Sequence, residues 1–390
     1  MEYAKEYKLA MDTILHHIEK EHFSEPSITD MKMIDTIYHD ILDGINASHI
    51  YVKDDMFEII PLDKISYPES FNFKSHEIDI HIRESIIYQA AFACELNGMR
   101  IGVTFSIMKD NFIHRTELLK NMQLIYSWLY VCHKHANSRC GHEINIDIYF
   151  TSFKKGFPNS NSIILGPENV NSAYSTVCAP SNKIIIFRKE EWFKVFIHEC
   201  GHSFGLEPAE SSEDYLSNFL KNNLAIKTCI RVSESYVETI ARIVNVFYSA
   251  ILNSSNYDDF LSILKFTMKV ESMFSVMQSY RVLAFMKMSY DIVITPTRHN
   301  ECKLYKENSN VFAYYVICGA FMHNPFKFIR WCDKHNSNWL QFNNDGVDIF
   351  KKYILDCLHD SSFEHLMSKF CDVANRKFGL RFTITELTKN

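Results

Sequence analysis

Glycine and proline are scarce here, 11 and 9 of 390 residues, so flexible linkers have little to be built from. No stretch repeats internally and no tract is of low complexity. Long apolar runs are missing too. The longest uncharged one, Val311 to Met322, is too short to span a bilayer. The opening MEYAKEYKLAMD is charged and amphipathic and lacks the apolar centre of a signal peptide. No block of like charge exists, and Lys+Arg 41 against Asp+Glu 47 leaves a net charge of −6. Neither a nucleic-acid footprint nor a polybasic membrane patch fits that balance. The 11 cysteines include no CxxC pair and are odd in number, so they are expected to be reduced, mostly buried thiols. Together these absences predict a cytoplasmic protein that handles neither nucleic acid nor membrane.

What is abundant is apolar: 47% hydrophobic residues, with 30 Phe and 20 Tyr, are enough for a large core. Apolar spacing predicts helices over Ala4 to Glu21 and Thr29 to Ile45, then short strands and loops from 49 to 82. Ile86–Leu96 and Met99–Met108 flank Asn97-Gly98, the pair that favours a type I′ hairpin turn. A long amphipathic helix follows from Arg115 to Ala136. Ile144, Ile146, Ile148 and Phe150 alternate with Asn145, Asp147 and Tyr149, as in a half-buried strand. Residues 151 to 182 read as irregular and Lys183–Phe187 as a strand. Lys189-Glu190-Glu191 then opens a helix, acids being favoured at its positive end, and Gly205 closes it. Beyond 208 the pattern is helical up to a short strand at Leu380–Ile384.

The helix after Lys183–Phe187 contains FIHECGHSFGLE, residues 196–207. Four-residue spacing puts the His198 and His202 rings on one face, within reach of a single Zn²⁺. Glu199, beside the first, can act as general base toward a water at the open metal position. Apolar Val195, Phe196, Ile197, Phe204 and Leu206 imply a buried helix. A catalytic zinc needs a third protein ligand. No histidine follows until His299, which excludes a third His soon after the glycine. The segment RVSESYVETIARIVNVF, residues 231–247, offers Glu234 and Glu238 on one helix face, two carboxylates that call for a positive partner.

With those residues in place, KIIIFRKEEWFKVFIHECGHSFGL and the later VETIA resemble a gluzincin-type zinc metallopeptidase, over roughly residues 140–250. The resemblance implies an α+β, zincin-like fold: a mixed α/β N-terminal half with the active-site helix and a mainly helical C-terminal half. It divides the chain into an extension (1–80), an α/β subdomain (81–207) and a helical subdomain (208–390). The match of Glu238-Thr239-Ile240-Ala241 to a Glu-x-x-Ala motif makes Glu238 the leading third ligand. Glu234, with Glu238 behind it, is the alternative. The resemblance also implies Zn²⁺ as cofactor and a peptide or protein as substrate, while composition and the lack of a signal peptide suggest an intracellular or virus-encoded member. The strand at Lys183–Phe187, or the loop NVNSAYSTVCAPSN before it, would form the cleft edge. A Tyr or His would face the oxyanion, the candidates being Tyr314 and Tyr315 with Tyr236 and Tyr248 behind them. The rival function is a non-enzymatic structural or regulatory protein that keeps the fold. A second rival is a zinc-dependent scaffold in which Cys200 or a further His closes the metal shell.

Other clusters read more plainly. Cys132, His133, His135, Cys140 and His142 suit a helix C-terminus better than a structural zinc. His16, His17 and His22 have no pair three or four apart and suit a solvated face. Cys200 reads as a small buried filler.

Overall fold

The hairpin anticipated at Asn97-Gly98 forms in the computed structural model: both residues lie at positive φ, 49° and 87°, as a type I′ turn requires. The structure describes all residues except 1, 4–6, 20–24, 66, 68–74, 137–139, 161–163, 372–377 and 388–390. Its strands are β1 (Glu2–Tyr3), β2 (Phe57–Ile60), β3 (Ile86–Leu96), β4 (Met99–Met108), β5 (Glu143–Thr151), β6 (Ala173–Ser175), β7 (Ser181–Arg188) and β8 (Thr385–Glu386). Its helices begin with α1 (Lys8–Ile18), α2 (Ile28–Tyr51), α3 (His76–Ser85), α4 (Arg115–His135), α5 (Pro167–Val170), α6 (Trp192–Ser203) and α7 (Glu210–Asn223). They continue with α8 (Val232–Leu252), α9 (Tyr257–Phe285), α10 (Tyr290–Val293), α11 (Cys318–His323), α12 (Pro325–His335), α13 (Val347–Leu358) and α14 (Ser361–Ser368). Packing divides the chain into two units. One holds Asp35–Lys155 and Asn171–Leu206; the other holds Met1–Ile34, Gly156–Val170 and Glu207–Asn390.

In the first unit a six-stranded mixed sheet runs β2-β3-β4-β5-β7-β6. β4, β5 and β7 are parallel, whereas β2 with β3, β3 with β4 and β6 with β7 pair antiparallel. The alternation in β5 buries Ile144, Ile146, Ile148 and Phe150 on one face. Tyr149, on the other, enters a cluster with Ile78 and Ile82 of α3, Ile86, Met108, Ile185 and Phe187. Both faces of the sheet are therefore covered, which the sequence did not show for Tyr149. Helix α3 is a correction, since loops and strands were expected there. Ser75 caps it by accepting from the Ile78 N–H at 3.3 Å, and Ile78 and Ile82 turn one apolar edge inward.

The second unit is built on α8 and α9, both largely buried, with α1, α11 and α14 also on α9 and α7 on α8. Leu380–Ile384 is not a strand. The pairing falls one step later, where β8 meets β1 antiparallel. Buried Glu271 holds the chain where it enters β8, accepting from the Ile384 and Thr385 N–H groups at 2.9 and 2.7 Å. Phe312–Ile317 forms a π-helical turn that continues as α11, and Pro325 opens α12, where its fixed φ suits a first turn. No helix among the described residues is long and apolar enough to cross a membrane.

Candidate metal centre

Helix α6 starts one residue after the acids that were expected inside its first turn. Glu191 is its N-cap residue, in the left-handed region at φ 58°, and its carboxylate meets Lys155 Nζ at 2.6 Å with both side chains buried. Glu190 accepts from the Lys155 N–H at 2.8 Å. These pairs fix the entry of a helix whose remaining surface is almost wholly buried.

One turn apart, His198 and His202 converge: their Nε2 atoms are 3.1 Å apart and the rings meet edge-on, 4.9 Å between centroids. Two ring nitrogens so close need a proton on one of them or a cation shared by both. Nitrogens about 2.0–2.1 Å from one tetrahedral ion stand roughly 3.3 Å apart, so the pair needs almost no adjustment to bind one. Glu199 is 7% exposed, and its Oε2 accepts from the Ser175 hydroxyl at 2.7 Å. Ser175 lies in β6, an edge strand of the sheet. The interior position of β7 corrects Lys183–Phe187 as a cleft edge; β6, from the loop before it, occupies the edge instead.

A Schellman motif ends the helix. Leu206 N–H donates to the Gly201 carbonyl at 2.9 Å and Gly205 N–H to that of His202 at 3.0 Å, with Gly205 at φ 61°. The His202 carbonyl also accepts from Cys178 N–H at 3.0 Å. The turn from Thr176 to Asn182 is bound further to this end. Buried Asn182 donates to the Ser203 carbonyl at 3.0 Å, and the Ser203 hydroxyl to that of Thr176 at 3.2 Å. Cys178 forms a disulfide with Cys140, which corrects the expectation that all cysteines are reduced. Cysteine usage thus no longer argues for a reducing compartment. Cys200 is fully buried and desolvation pushes its thiol well up, which suits a packing residue and not a nucleophile.

The leading third ligand has another charged neighbour. Glu238 is fully buried in α8, and its Oε1 accepts from Arg242 Nε at 2.9 Å. Arg242 in turn donates to the Ser275 hydroxyl and the Tyr314 carbonyl, both at 2.9 Å. The positive partner of Glu238 is this guanidinium, one helical turn on. Glu234, the alternative, is half-buried in the first turn of α8 and its Oε1 accepts from Asn310 Nδ2 at 3.2 Å.

The tyrosines resolve differently. Tyr315 is fully buried and its hydroxyl donates to the Leu380 carbonyl at 2.6 Å, so it is corrected to a core residue. Tyr236 likewise donates to the Leu340 carbonyl at 3.1 Å, and Tyr248 is fully buried. Tyr314 packs its ring on Phe382, centroids 5.3 Å apart. In the cysteine–histidine cluster, Cys140 is spent in the disulfide and His135 Nε2 meets Asp40 at 2.6 Å. His22 lies outside the described residues, and His17 packs against Phe370. Sequence reasoning missed Ser175 and Asn310. Ser175 sat in a segment already singled out, and Asn310 carried no signal at all.

No family model, curated protein or solved structure matches this chain.

Proposed function

We propose that the chain is a zinc-dependent peptidase of zincin-like architecture in which His198, His202 and Glu234 hold the ion. One observation carries the reading. These three are the one such group among the described residues, with a ligand atom from each lying within 4.8 Å of the others. Two imidazoles and a carboxylate are a donor set of zinc hydrolases, and the set leaves one position for water.

Bound zinc would supply Lewis acidity and lower the pKa of that water. Glu199 takes the proton of the attacking water and passes it to the leaving amine. Its bond from Ser175 fixes which oxygen faces the reaction, because Oε2 is occupied by the serine hydroxyl. β6 offers backbone donors and acceptors at a sheet edge, where an extended peptide can add as a further strand. The edge beside the base makes a peptide the substrate class this reading favours.

The test is zinc content by elemental analysis for wild type and Glu199→Gln, paired with cleavage of a broad peptide library. One zinc per chain in both proteins, with cleavage by wild type alone, is the expected result. The loss in rate should be at least about 10²-fold, as for removal of a general base. Absence of zinc from both proteins would overturn the reading.

A further inference from the structure

Glu234 is met by a segment whose own geometry is unusual. Asn310 stands at φ 34°, in the left-handed region that Gly, Asn and Asp enter most readily. The segment before it is anchored on both sides. Glu307 bridges in parallel to Leu165, and Asn308 N–H donates to the Leu165 carbonyl at 2.9 Å. The Glu307 carboxylate accepts from the Tyr305 hydroxyl at 2.9 Å and from Phe312 N–H at 2.7 Å. Asn310 then starts the helix that follows, its carbonyl accepting from Tyr314 N–H at 3.0 Å. The backbone held this way sets where the Asn310 side chain begins, and its Nδ2 donates to Glu234 Oε1 at 3.2 Å.

We infer that Asn310 is a positioning residue for the proposed metal site: its amide holds Glu234 Oε1 and so turns the other carboxylate oxygen, Oε2, toward the ion. The inference rests on the reading of Glu234 as a ligand. A carboxylate on a helix has two rotamer-linked oxygens that can exchange. A single neutral donor on one of them removes that freedom without removing the negative charge the ion needs. The left-handed backbone explains why the donor is asparagine and not glutamine: of the two amides, asparagine is the one that tolerates that conformation.

The decisive experiment titrates Zn²⁺ into protein stripped by a chelator, with a chromophoric competitor, for wild type, Asn310→Gly, Asn310→Asp and Glu234→Gln. Asn310→Gly keeps the backbone free to adopt φ 34° and removes only the amide. It should weaken zinc binding about 10–100-fold while the unfolding temperature of the metal-free protein stays that of wild type. Asn310→Asp sets a second carboxylate against Glu234 and should shift the zinc affinity in a pH-dependent way that the glycine variant does not show. Wild-type zinc affinity in Asn310→Gly would overturn the inference and leave the ligand assignment standing. Wild-type zinc affinity in Glu234→Gln would overturn the ligand assignment, and the inference with it.

Discussion

At the scale of single residues, one buried charge pair shows what holding an ion in the core requires. The Glu238–Arg242 pair has no exposure on either side chain, and Arg242 adds two further acceptors. Removing one partner of such a pair strands the other. Glu238→Gln should therefore lose about 3–5 kcal/mol of stability in urea unfolding, while its folded fraction still binds one zinc. Loss of zinc without loss of stability would restore Glu238 as ligand. Glu307 gives a pH signature. Burial pushes its carboxyl up to about 7, from the ordinary 4.5 that it has in the unfolded chain. Between those values the folded state keeps a proton that the unfolded state has lost, so stability falls as pH rises from about 4.5 and levels off above 7. Replacing it with glutamine removes that slope. The difference between wild-type and Glu307→Gln unfolding free energies should change by on the order of 1–3 kcal/mol from pH 5 to pH 8.

At the scale of elements, the end of α6 is the most heavily constrained point near the candidate site. A Cβ on Gly205 would lie 3.1 Å from Cys178 Sγ and 3.4 Å from Cys140 Sγ, on a backbone that L side chains rarely adopt. Gly205→Ala should destabilise by about 1–2 kcal/mol, measured by thermal unfolding, and should disturb His202, whose carbonyl anchors the Gly205 N–H. The Cys140–Cys178 bond spans 38 residues of sequence. Closing a loop of that length restricts the unfolded chain, so Cys140→Ser with Cys178→Ser should lower stability by about 3–4 kcal/mol in denaturant. Unchanged stability would mean the two thiols do not pair in solution. The elements also separate what local sequence reveals from what it hides. The β3–β4 hairpin and the α6 cap were legible because their signals, Asn97-Gly98 and Gly205, act within a few residues. α3 was not, since ten charge-rich residues carry only a narrow apolar edge, and β6 is too short to show a period.

At the scale of the whole molecule, the proposed metal site would link ion binding to folding. An ion held only by the folded protein stabilises it by an amount set by concentration over Kd, about 2.7 kcal/mol at a hundredfold excess. Zinc should therefore raise the unfolding temperature of wild type and of Glu199→Gln, a chelator should reverse the rise, and Glu234→Gln should show little of it. A rise in Glu234→Gln equal to that of wild type would remove Glu234 from the ligand set.

The sequence by itself determined the helix with His198, Glu199 and His202 on one side, the strand before it, the hairpin, and a second half made of helices. Each of these depends on spacing along a few turns or a few strand residues, and periodicity reports that directly. It also narrowed the third ligand to two glutamates on one helix. Only the tertiary structure separates their surroundings, because Arg242 pairs with Glu238 through a buried bond that an apolar pattern does not announce, and Asn310 reaches Glu234 across 76 residues of sequence. The same holds for Tyr315, Ser175 and the Cys140–Cys178 pair. Which polar atom meets which is settled by packing between distant segments, and hydrogen-bond partners leave no period in the chain.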